Sequence, residues 1–194
     1  MNKQRLEAFS DGVIAILITI MVLELHPPHG PDWHSLAALL PKFLSYLLSF
    51  IYLGIYWNNH HHMLHISHRV TGGVLWANLH LLFWLSLVPF MTGWVGEHPD
   101  SPIPAAAYGL NFVLAAVAYT ILQNTIIRAD GGETSPLARA VEHDWKGKAS
   151  IALYLAGIAC AFLHPWLADA FYVVVAAIWF VPDKRIEKKL AQES

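Results

Sequence analysis

The 194-residue sequence is poor in charge. Asp, Glu, Lys and Arg together make up 13% of it, against roughly a quarter in a soluble domain. An ordinary water-facing surface is therefore excluded. It holds one cysteine, Cys160, inside an apolar run, which rules out an intrachain disulfide and leaves a small buried hydrophobe. Lys and Arg are nowhere dense enough for the basic patch that nucleic acid requires. There is no His-Glu-x-x-His motif, and no set of residues that reads as an enzyme's catalytic machinery. What the sequence has instead is 56% hydrophobic residues and eight tryptophans, the residue that collects where helices cross into the head-group region.

A helix needs about 20 largely apolar residues to cross a bilayer. Six runs meet or approach that length: 6–25, 36–62, 73–95, 103–127, 149–163 and 167–181. His26-Pro27-Pro28, His164-Pro165 and Pro182 punctuate them. The sequence therefore predicts an all-α integral membrane protein, one domain over 1–194 with six transmembrane helices. The segment 182–194 is expected to be a charged cytoplasmic tail. The first run has no small-residue cleavage site before Glu24 and Leu25, so it reads as a retained span rather than a cleaved signal.

The charges support the count. All but Lys42 of the twelve Lys and Arg residues fall on one side of a six-span arrangement. The positive-inside rule then places both termini in the cytoplasm. Lys42 can snorkel from the start of the second run.

The first run opens Arg5-Leu6-Glu7-Ala8-Phe9-Ser10-Asp11-Gly12. An ionisable residue such as Asp11, at the edge of a span, calls for a partner or for water. Arg5, Ser10 and polar residues of other helices are available to it. At about 100° per residue, Gly12, Ile16, Thr19 and Leu23 share one stripe, bordered by Ile20. Periodicity leaves two readings of the stripe. One is ordinary helix packing, where Gly and Thr are common. The other is a ring of apolar side chains around an axis, which can gate by dewetting.

The second run contains Tyr56-Trp57-Asn58-Asn59-His60-His61-His62 and continues to His65 and His68; the third contains Asn78, His80 and Ser86-Leu87-Val88-Pro89-Phe90. Pro89 should kink or end the third helix. His61, His65 and His68, at i, i+4 and i+7, lie on one face, and imidazole ligates zinc, copper, iron or nickel. No acidic ligand stands near them, and an interfacial hydrogen-bonding patch uses the same spacing. No role in particular attaches to His62 or His80.

These motifs together resemble a family. Arg5…Phe9-Ser10-Asp11 is similar to the Arg-x-x-x-Phe-Ser-Asp signature of the transmembrane protein 175 family of potassium channels. Tyr56-Trp57…Asn59-His60-His61 and Asn78…Leu87-Val88-Pro89-Phe90 resemble the second- and third-helix motifs of its bacterial members. The resemblance implies a homotetramer in a bacterial plasma membrane, conducting K⁺ passively with no cofactor, its pore lined by the first helix of each subunit. It implies a constriction at Ile16, with further pore positions at Thr19, Ile20 and Leu23. It also implies a structural network of Arg5, Phe9, Ser10, Asp11, Trp57, His60, His61 and Asn78 that locks the first helix to its neighbours. The Thr-Val-Gly-Tyr-Gly filter of ordinary potassium channels is absent from this sequence, as it is from the family. The competing readings are a secondary transporter, which would favour repeats and paired helix breaks, and a His-rich metal-binding membrane protein.

Overall fold

The computed structural model describes residues 2–141 and 145–180. The expected tail 182–194, position 181 and the middle of the 128–148 connection lie outside the described residues. The described chain is all helical. Its elements are α1 (Lys3–Leu23), α2 (Trp33–Ala37), α3 (Leu40–Ile66), α4 (Gly72–Ser86), α5 (Val88–Glu97), α6 (Pro102–Ala129), a 3₁₀ turn (Gly132–Thr134), α7 (Pro136–Val141), α8 (Trp145–Ala161) and α9 (Pro165–Phe180). Three stretches are long and apolar enough to cross a membrane: Lys3–Leu23, Gly72–Glu97 and Pro102–Ala129, with Pro165–Phe180 a shorter apolar helix. The chain is membrane-spanning.

Local chemistry sets the ends. Asn2 caps α1, its side chain accepting from the Gln4 N–H at 3.0 Å. Asp32 caps α2 by accepting from the Ser35 N–H at 2.8 Å, as an N-cap carboxylate does. That bond, with another from the Ser35 hydroxyl at 2.9 Å, holds the exposed Asp32 carboxyl below its usual range. Proline opens α3, α5 and α6 within the first turn, where a missing N–H costs nothing. Gly131 and Gly132, with φ of +106° and +74°, take the left-handed turn after α6 that a side chain would strain.

Two expectations about the second run are corrected. The second run does not start as one helix at position 36. It is split into α2 and α3, because Pro41 has no N–H to bond the Ala37 carbonyl and the ladder must restart. The third run breaks at Leu87 into α4 and α5, as expected of Pro89, which likewise cannot donate back to Leu85. The second run also reaches further than position 62, to Ile66. There the Lys3 ammonium donates to the carbonyls of His65 at 2.7 Å and Ser67 at 3.0 Å, satisfying acceptors that a helix C-terminus leaves open.

α3 packs chiefly against α5 and α1, and against α9; α4 packs against α6 and α1, and α6, α8 and α9 pack on one another. Between α3, α6, α8 and α9 lies an aromatic core of Tyr52, Phe112, Tyr108, Tyr154 and Tyr172. Tyr52 Oη donates to the Tyr172 carbonyl at 2.6 Å and Tyr172 Oη to the Ala105 carbonyl at 3.0 Å. Gly109 and Gly157 leave room for the Tyr172 ring: a Cβ on Gly109 would stand 2.7 Å from its Cζ, and one on Gly157 2.7 Å from its Cε1.

Candidate functional site: the two faces of the first helix

The inner face of α1 is Leu6, Ser10, Ile14, Leu17 and Met21, all buried in the subunit. Their spacing of three or four residues makes a continuous stripe. The opposite face is uncovered. Phe9, Gly12, Ile16, Thr19, Ile20 and Leu23 all lie on it. Ile16 is 56% exposed and Leu23 72%, in the middle and at the end of an apolar helix. Thr19 Oγ1 shares its proton between the carbonyls of Ile16 at 2.9 Å and Ala15 at 3.1 Å. Its lone pairs are thereby left facing outward as acceptors.

A chain of polar groups sets which face of α1 turns inward. Ser10 Oγ donates to the Leu6 carbonyl at 2.9 Å. It accepts from Asn78 Nδ2 of α4 at 3.0 Å. The amide so oriented turns Oδ1 to His60 Nε2 of α3, 2.7 Å away. His60 therefore carries its proton on Nε2, since Oδ1 can only accept. Ser10, Asn78 and His60 are all buried, so each bond replaces one that water cannot supply. One helical turn of α1 is thus tied to two other helices.

Asp11 finds its partner on α3: Trp57 Nε1 donates to Oδ1 at 2.9 Å. Arg5, an available partner by sequence, is exposed and forms no hydrogen bond or ion pair among the described residues. An i to i+6 offset turns Arg5 about 120° around the helix from Asp11. Phe9, 53% exposed, and His61 stand outside the hydrogen-bonded chain. His61 instead stacks between Trp57 and His65, with ring centroids 6.1 and 5.9 Å away.

The three-histidine face expected of His61, His65 and His68 does not form. The helix ends at Ile66 and Ser67 turns extended, so His68 leaves that face. Its backbone N–H, with that of Arg69, donates to Asp130 at 2.9 and 2.8 Å. Among the described residues no group of three His, Cys, Asp or Glu is placed to hold a metal.

Two further ties had no signal in local spacing. At the other end of the molecule Lys42 donates to Glu97 at 3.1 Å, joining α3 to α5. In the middle, Thr92 Oγ1 lies 2.7 Å from Ser49 Oγ, which lies 2.9 Å from Tyr108 Oη. That chain crosses α5, α3 and α6. The pairs are 43 to 59 residues apart in sequence, beyond anything a periodic pattern encodes.

Comparison with known proteins gives the arrangement a context. The profile of the family described as endosomal/lysosomal potassium channel TMEM175 matches residues 5–89, the part that carries α1 and the polar chain. A protein named potassium channel from a Chryseobacterium species is 55% identical over 192 residues, spanning 99% of this chain and 100% of the relative. Another so named, from Streptomyces collinus, is 37% identical over 72% of this chain and 74% of its own length. The crystal structure of a lysosomal potassium-selective channel TMEM175 homolog from Chamaesiphon minutus superposes with a TM-score of 0.77. It is 28% identical and covers 93% of this chain and 97% of its own.

Proposed function

The chain belongs to the TMEM175 family of channels, and on that premise we propose that it is a potassium channel, a homotetramer with one α1 from each subunit around the conduction path. The observation that carries this reading is the uncovered apolar face of α1. An isolated helix face of Ile16, Ile20 and Leu23 gains nothing from facing its own subunit, which already packs the opposite stripe. Copies of the same face around an axis would form a narrow tube with rings of Ile16, Thr19, Ile20 and Leu23. Apolar rings of that kind stay closed by dewetting and conduct once they widen or hydrate. The Thr19 oxygens would supply the acceptors that stand in for part of the ion's water. Six spans per subunit, taking α4 with α5 as one, give both termini a cytoplasmic position in the plasma membrane.

In this reading Ser10, Asp11, Trp57, His60 and Asn78 do not touch the ion. They hold α1 at one rotation and keep its apolar face on the axis, with Arg5, Phe9 and His61 at the same end next to a neighbouring subunit. Transport is passive, with K⁺ the permeant ion and neither an enzymatic step nor a cofactor. The deciding experiment is flux from liposomes loaded with K⁺ or with Na⁺. We expect larger K⁺ flux from the parent protein, and in Ile16→Asn higher conductance with poorer selectivity, since an amide ring wets the constriction. Equal fluxes and selectivity in parent and Ile16→Asn would remove α1 from the pore.

A further inference from the structure

A groove of about 570 Å³ runs between α3 and α9, and no residue of α1 lines it. Its length follows two parallel helices. Trp166 to Phe180 is about 21 Å of α9. The walls are apolar: Leu44, Leu48 and Ile51 from α3, and Val173, Ala177 and Phe180 from α9.

One charged residue opens into it. Asp169 is the only Asp, Glu, Lys, Arg or His among the lining residues. It stands about 6 Å along α9 from Pro165, near the end where both helices begin. The other polar groups nearby are engaged. Ser45 Oγ donates to the Pro41 carbonyl at 3.1 Å, Tyr108 Oη pairs with Ser49 at 2.9 Å, and the Trp166 N–H goes to Asp100 at 3.2 Å. Asp169 receives no hydrogen bond or ion pair from any described residue. A carboxylate in a spanning helix is costly, and residues of this kind mark functional positions.

We propose that this groove binds a lipophilic monocation, its single hydrocarbon chain along Leu44, Leu48, Val173 and Ala177 and its ammonium group at the Asp169 carboxylate. Size and charge select this occupant. The volume lies within the range of small-molecule sites. At about 30 Å³ per water-sized group it holds roughly twenty non-hydrogen atoms, which a single-chain amine fills and a two-chain phospholipid exceeds. A phospholipid would also bring a phosphate to a groove whose lining has no cation, next to a carboxylate. An amine presents only the charge that Asp169 lacks. The site is independent of whether α1 lines a pore.

The test uses the full chain in phosphatidylcholine nanodiscs, with radiolabelled n-dodecylammonium as the probe and n-dodecanol as its uncharged match. The expected result is saturable amine binding that weakens about tenfold in Asp169→Asn and returns in Asp169→Glu. Dodecanol binding should be the same in parent and Asp169→Asn. Ala177→Trp, which fills the groove without touching the carboxylate, should abolish binding of both. Should that variant fail to fold, the Asn and Glu variants still decide. Amine binding unchanged by Asp169→Asn, or equal affinity for amine and alcohol in the parent, overturns the proposal. So does a phospholipid retained at the groove and not displaced by the amine, or a disulfide between chains formed through Val173→Cys, which would show a second copy lying there.

Discussion

Asn78 and Asn111 are both shut away from solvent, at 0% and 2% exposure, yet they sit in different kinds of packing. Asn78 in α4 uses both ends of its amide, donating to Ser10 and accepting from His60. Asn111 in α6 is buried with neither end hydrogen-bonded among the described residues. The contrast extends to their surroundings. Around Asn78, directional bonds join α1, α3 and α4. Around α6, α8 and α9, shape does most of the joining: the Tyr172 ring lies against Gly109 and Gly157 and tilts against Tyr108 and Tyr154, with one hydrogen bond from its hydroxyl to the Ala105 carbonyl. A hydrogen bond tolerates little angular error, so the first region specifies the rotation of α1. Close packing specifies only that helices approach, and it is unforgiving of added volume.

Mutations that exchange these properties should break the comparison. The largest effect is expected at Gly109→Ala. Its Cβ would meet a fully buried ring, and the cost should reach the upper end of about 1–3 kcal/mol, read as lost thermal stability in detergent. Any K⁺ flux should fall only in proportion to folded protein. Next comes Asn78→Leu, which leaves the His60 N–H without an acceptor and removes the Ser10 bond, at about 1–2 kcal/mol. Here flux per folded channel should change as well, because α1 loses its rotational tie. A normal flux per folded channel would show that the chain is structural only. The sign reverses at Asn111→Leu, where an unpaired buried amide becomes apolar at similar volume. We expect a gain of about 1 kcal/mol, and a loss of stability would mean that its amide is bonded after all. Smallest is Lys3→Met, which removes the ammonium from the carboxyl end of α3. About 0.3–1 kcal/mol is expected, seen as faster amide exchange at His65 to Arg69 with the rest of α3 unchanged.

Much of the helical layout was legible. Apolar runs and prolines located the long helices to within a few residues, because span length and a missing N–H are local constraints. The stripe on α1 was also legible, since 100° per residue is enough to sort Ile16, Thr19 and Leu23 from Ile14, Leu17 and Met21. Illegible were the restart at Pro41, which hydropathy alone runs through, and the end of α3 at Ile66, which detached His68 from the two histidines before it. The partner of Asp11 was illegible in the spacing, which offered Arg5; only the family resemblance placed Trp57 in the same network.

By itself the sequence determined that this chain lives in a membrane, roughly where its long helices run, and which residues share a face on α1. Only the tertiary structure decided which face of α1 turns inward and which side chains close the polar chain. Ser10, His60 and Asn78 meet because α1, α3 and α4 take one relative rotation and one axial register. Those two quantities arise from packing between distant segments and leave no trace in the spacing of residues along any single helix.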